Sequence, residues 1–76
     1  MARRWIVRSG QDFGRAIAGL REVEGLTQAE LAATTGIERT YLARLEAGHA
    51  TQMVERLIEA VRALGAEMIV VHRGHG

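Results

Sequence analysis

Three histidines, at positions 49, 72 and 75, are the side chains of this 76-residue chain best suited to metal or proton chemistry. None stands four residues from another, as two ligands on one helix face must, and neither cysteine nor a cluster of carboxylates accompanies them, so no zinc site is expected. Serine, aspartate and histidine occur without a local nucleophile motif, and so short a chain leaves little room for an enclosed reaction pocket, which argues against an enzyme. What remains is arginine: all ten basic residues other than histidine are arginine, a bias that, beside abundant alanine, is also what a GC-rich genome produces. The net charge of +1 and pI of about 8.5 are too mild to diagnose a nucleic-acid partner. Distribution decides, and in "ERTYLARLEAG", residues 38–48, Leu42 and Leu45 form an apolar stripe that leaves Arg39, Thr40, Tyr41 and Arg44 on other faces.

That polar face needs a helix to carry it and others to hold it. Ser9, followed by Gly-Gln-Asp, reads as an N-cap with an acidic residue under the positive helix end. Phe13, Ile17 and Leu20 then recur at helical spacing, with Ala16 and Val23 flanking, so a first helix is predicted to about Glu24, with Gly25 ending it. Thr27 with Glu30 makes a capping box and Leu26 with Leu31 a staple, opening a second, two-turn helix stopped by Gly36. The third helix follows with Glu38 at its start, a poor N-cap, and ends at Gly48. Thr51 caps a fourth whose apolar set is Val54, Leu57, Ile58, Val61 and Leu64, the pattern of one buried face, ending at Gly65.

"AEMIVVHR", residues 66–73, is rich in β-branched residues and too short for a stable helix, so it reads as a strand; "RRWIVR" near the N-terminus is a candidate second strand. An isolated strand leaves backbone groups unsatisfied. The economical solution pairs Met68, Ile69, Val70 and Val71 of two subunits about a twofold axis, with the Trp5–Val7 segment a candidate to lie alongside, which implies a homodimer. Three segments result: 1–9 an N-terminal arm, 10–65 a helical domain, 66–76 a dimerisation strand and a tail, Gly74–Gly76, expected to be disordered. With no apolar run near about 18 residues and no secretory pattern, a soluble cytoplasmic protein is expected. Met53 and Met68 read as core or dimer contacts rather than a cofactor site, and no cofactor is expected.

Two short helices joined at a glycine, the second with an exposed polar face, make a helix-turn-helix whose second helix enters the DNA major groove. "LTQAELAATTGIERTYLARLEAG", residues 26–48, resembles the core of the XRE family, which includes the lambdoid phage repressors; the similarity covers residues 12–65. The resemblance implies a mainly α, lambda-repressor-like bundle of four to five helices with a C-terminal β-strand pairing across a homodimer. It also implies that Gln28 contacts a phosphate and braces the recognition helix, and that Arg39, Thr40 and Arg44 face base edges. Arginine can bond guanine O6 and N7 in bidentate fashion, and Thr40 can meet a thymine methyl. Tyr41 matches a backbone-contacting position and equally suits packing on the first helix. His49, in the loop after the third helix, is a candidate phosphate contact, the alternative being a plain loop residue. Arg21 and Glu46 match a family ion pair that sets the angle of the third helix. Glu38 departs from the family, which usually places a small polar cap there, and its carboxylate would repel phosphate.

The helix-turn-helix followed directly by "RALGAEMIVVHR" resembles the HipB-like antitoxins. That implies a bacterial repressor that binds an inverted-repeat operator in double-stranded DNA, autoregulates its operon and pairs with a larger kinase-like toxin. The alternative is a stand-alone XRE-family regulator whose tail serves dimerisation alone.

Overall fold

The computed structural model describes residues 3–74, in the order β1 (Arg3–Val7), α1 (Gly10–Val23), α2 (Gln28–Thr35), α3 (Arg39–Glu46), α4 (Gln52–Ala63) and β2 (Met68–His72). His75 and Gly76, the end of the tail expected to be disordered, lie outside the described residues.

α1, α2 and α4 each begin where a short polar side chain answers an orphan backbone N–H. The Ser9 hydroxyl accepts from Asp12 N, and the Thr51 hydroxyl from Val54 N. At α2 the capping box is complete: Thr27 Oγ1 accepts from Glu30 N at 3.0 Å while Glu30 Oε1 accepts from Thr27 N at 2.8 Å. The Thr27 backbone N–H, and after it the Thr27 side chain, hold the Glu30 carboxyl below its ordinary pKa. Gly36 then takes φ +78°, a left-handed C-cap that would strain any other residue, and turns the chain into α3.

α1 is the central element, with α3 on one side and the β1–β2 sheet on the other. Small residues permit both approaches. A Cβ on Gly14 would lie 1.9 Å from the Leu45 carbonyl oxygen, so the backbones of α1 and α3 touch there. One helical turn earlier, Gly10 sits against Ala50, and its N–H donates to the Glu55 carboxylate of α4. On the other side the Trp5 indole covers Gly19. Val7, Ala16 and Ile58 form the core beneath the sheet, with Trp5, Phe13, Val54, Met68 and Val70 packed around them, while Leu42, Leu45 and Ala32 are buried between α1, α2 and α3.

Two features differ from the sequence expectation. First, β2 was expected to find its hydrogen-bonding partner in a second chain, but β1 supplies one: the strands pair antiparallel from Arg3 opposite His72 to Val7 opposite Met68. The premise that β2 is isolated therefore falls, because the N-terminal segment folds back over α1 to reach it. Each strand of this two-stranded sheet has one edge without a partner strand among the described residues. Second, the five apolar residues of α4 do not share one buried face. Ile58 is 3% exposed, yet Leu57 is 58% and Leu64 85% exposed. α4 meets the rest of the molecule mainly along the side that faces α1 and β2, and so small a domain has little further surface to cover its other apolar residues.

Gly14→Ala is expected to destabilise the fold by about 2 kcal/mol or more, the range for overpacking a close contact, because the obstructing atom is backbone and cannot rotate away. Gly36→Ala should cost less, through left-handed strain alone. Urea unfolding of the two variants side by side checks the order.

Candidate nucleic-acid interface

In α3, at 100° of rotation per residue, Arg39, Ala43, Thr40 and Arg44 span an arc of about 140°, and Leu42 and Leu45 lie opposite it. Leu42 is 1% and Leu45 5% exposed, while Arg39, Thr40 and Arg44 are exposed. Two buried leucines thus point three polar side chains outward. No ion pair engages Arg39 or Arg44 among the described residues, so both guanidinium groups are open to a ligand.

The helix is eight residues long and has no side-chain hydrogen bond at its N-cap. Its position is set from the other end. Arg21 Nε lies 2.9 Å from Glu46 Oε2 and Arg21 Nη2 2.9 Å from Glu46 Oε1, a fork-on-fork pair, while Arg21 Nη1 donates to the Leu26 carbonyl at 2.8 Å. Gln28 Nε2 donates to the same Glu46 Oε1 at 3.1 Å. One carboxylate therefore joins α1, the α1–α2 turn, the first residue of α2 and the last residue of α3. The side chains of Arg21 and Glu46 are 17% and 6% exposed, so the pair is largely removed from water. Burial pushes the Glu46 carboxyl upward, but the hydrogen bonds from Arg21 and Gln28 outweigh it and leave the pKa below the ordinary carboxylate value.

The structure thus brings Arg21, Gln28 and Glu46 into one network, with Gln28 hydrogen-bonded to the last residue of α3. Tyr41 does something unforeseen: its hydroxyl lies 3.2 Å from Thr51 Oγ1, the cap of α4, and so ties α3 to the next helix rather than to α1. His49 is exposed in the loop after α3, where its N–H donates to the Arg44 carbonyl at 2.8 Å. His72 ends β2 with Nε2 2.7 Å from Glu24 Oε2, far from the α3 face in role, and His75 lies outside the described residues. Sequence reasoning missed Gly10 and Gly14, whose small-residue spacing of four in α1 was the available sign of close helix approach. Ile69 and Val71 are 37% and 42% exposed on the outer face of the sheet, while Met68 and Val70 pack inward.

The order of two short helices, left-handed glycine turn and outward polar helix matches a family model described as helix-turn-helix over residues 17–70. The chain belongs to the XRE family of helix-turn-helix proteins. It is similar to two proteins of Sinorhizobium fredii (strain NBRC 101917 / NGR234). The uncharacterized HTH-type transcriptional regulator y4dJ is 39% identical over 56 residues, 74% of this chain and 73% of that one. The uncharacterized HTH-type transcriptional regulator y4mF is 27% identical over 74 residues, 97% of this chain and 95% of that one. No solved structure matches the chain at a significant level. In this XRE-family chain, α2 and α3 are the two short helices joined through the Gly36 turn.

Removing Arg21 leaves Glu46 charged, nearly buried and short of its main partner, so Arg21→Ala should cost about 3–5 kcal/mol, the range for breaking a buried pair. Because the Glu46 pKa is lower in the folded than in the unfolded chain, its stabilisation is complete above the unfolded carboxylate pKa of about 4.3 and disappears as pH falls through the lower folded value. Denaturation measured from pH 7 down to about 2 should therefore show a shallower acid loss in Glu46→Gln than in the wild type.

Proposed function

We propose that this protein is a sequence-specific DNA-binding transcriptional repressor that acts as a homodimer on an inverted-repeat operator. The carrying observation is the exposed face of α3, on which two unpaired arginines and a threonine are aimed outward by a helix locked at its far end by Glu46. Arg39 and Arg44 are the residues for guanine edges and Thr40 for a thymine methyl, with Tyr41 and His49 at the flanking phosphates. Gln28 has a double use in this reading: one amide hydrogen bond braces Glu46, and its place in the first turn of α2 suits a phosphate.

A homodimer fits surfaces that the single chain leaves uncovered. Met53 and Leu57 of α4 and Leu64, its C-cap, are 63%, 58% and 85% exposed, and an apolar groove between α1, α4 and β2 is lined by Phe13, Val54, Leu57, Ile58 and Met68. Beside them runs the open edge of Met68–His72. A second copy placed there covers all three features, and a dimer carries two recognition helices for an inverted repeat. Repression then follows from occupancy of a promoter and requires no catalysis.

The finer reading is an antitoxin that autoregulates its operon and binds a larger kinase-like toxin, favoured by the placement of β2 immediately after the helix-turn-helix domain. Affinity capture of the tagged protein from its native cytosol, with bound proteins identified by mass spectrometry, separates this from a stand-alone regulator. A stoichiometric kinase-like protein supports the antitoxin; recovery of the dimer alone, with expression confirmed, supports the stand-alone regulator.

DNA binding is checked by fluorescence anisotropy on duplexes selected from a random pool. Affinity is expected to fall steeply with salt, since neutralised phosphates release counterions. Combined Arg39→Ala and Arg44→Ala should abolish sequence preference, at about 1–3 kcal/mol of discrimination per lost bidentate contact; unchanged preference would falsify the contact assignment. Sedimentation of Leu57→Glu should shift the molecule toward monomer without unfolding it.

A further inference from the structure

Glu38 is the residue that the DNA-binding reading leaves without a task. It occupies the N-cap of α3 in extended backbone, φ −63° and ψ 133°, and its side chain makes no capping hydrogen bond. The side chain is exposed and, among the described residues, engages no hydrogen-bond or ion-pair partner. At the equivalent positions of α2 and α4, threonine hydroxyls fold back onto the backbone. Glutamate does not belong to the short side chains that close this loop, so its carboxylate is free at the leading end of the recognition helix.

Its chemistry restricts what it can face there. An ionised carboxylate only accepts hydrogen bonds. Toward a phosphate it is repulsive; toward the floor of the major groove it is selective. Guanine shows N7 and O6 acceptors and thymine an O4 acceptor with a methyl group, and neither offers a donor. Adenine has its N6 donor beside the N7 acceptor, which opposes the second carboxylate oxygen. Cytosine alone shows an N4 donor without an acceptor next to it on the same base. The next residue, Arg39, adds a donor fork, so the start of α3 presents an acceptor and a donor group in succession. A C·G pair answers both, with N4 on one base and O6 and N7 on the other.

We infer that Glu38 is a specificity-determining residue, which accepts from the N4 amino group of a cytosine at one position of each half-site and rejects guanine and thymine there. This rests on the DNA-binding reading given above. N-terminal residues of a recognition helix are the ones that reach base edges, and Glu38 immediately precedes Arg39 and Thr40.

The test is selection from a randomised duplex library by the full-length wild type, Glu38→Ala and Glu38→Gln, sequenced in parallel. Neither substitution removes a hydrogen bond, and thermal melting of each variant confirms the fold. The wild type should enrich cytosine at one half-site position. Glu38→Ala should reduce that preference from roughly tenfold to near parity while the preferences at neighbouring positions persist. Glu38→Gln should move it to adenine, whose N6 and N7 a glutamine amide matches. Unchanged preference at every position in Glu38→Ala overturns the inference; a gain in affinity with a steeper salt slope would then mark Glu38 as a group that only repels phosphates. If the wild type enriches no sequence, the DNA-binding reading fails and takes this inference with it, so the wild-type selection tells the two failures apart.

Discussion

The carboxylate of Glu46 is the constraint on which the working face depends. An eight-residue helix is too short to be stable by itself, isolated helices under about 12–15 residues being marginal in water. α3 also begins without a side-chain cap. Its orientation is therefore imposed from outside, by Leu42 and Leu45 sunk into the core and by Glu46 clamped between Arg21 and Gln28. The clamp is effective because it is multidentate and largely shielded from water. A single surface pair would contribute little, whereas a nearly buried carboxylate that loses its partners has no water to replace them. The same network ties the first turn of α2 to the last residue of α3.

Close packing of small residues makes that network reachable. Gly14 lets the backbone of α1 touch that of α3, which brings Arg21, two turns further along α1, to the end of α3. Gly10 and the Glu55 carboxylate anchor α4 to the start of α1, and the Tyr41 hydroxyl meets Thr51 from the other side. The four helices are thus joined at their ends by polar bonds and along their lengths by few apolar residues. The consequence is a thin core and an apolar surface on α4 and the outer sheet that a second molecule can complete. The exposed apolar residues and the outward polar face of α3 lie on different elements.

Helix starts and stops were legible in the sequence because their causes are local. Ser9, Thr27 and Thr51 each bond a backbone group three residues away, and Gly25, Gly36, Gly48 and Gly65 each take positive φ where a helix ends. The inward pair Leu42 and Leu45, and hence the outward set Arg39, Thr40 and Arg44, follows from helical period alone. The Arg21–Glu46 pair, 25 residues apart, was available only through resemblance to a family. The tertiary structure decided the rest. It paired Arg3 with His72 across nearly the whole chain, turned Tyr41 toward Thr51, and left Leu57 and Leu64 of a regular apolar stripe in the open. Caps and periods are short-range and repeat the same geometry wherever they occur, whereas pairing and burial depend on which surfaces the folded chain brings together and on how soon so small a chain runs out of them.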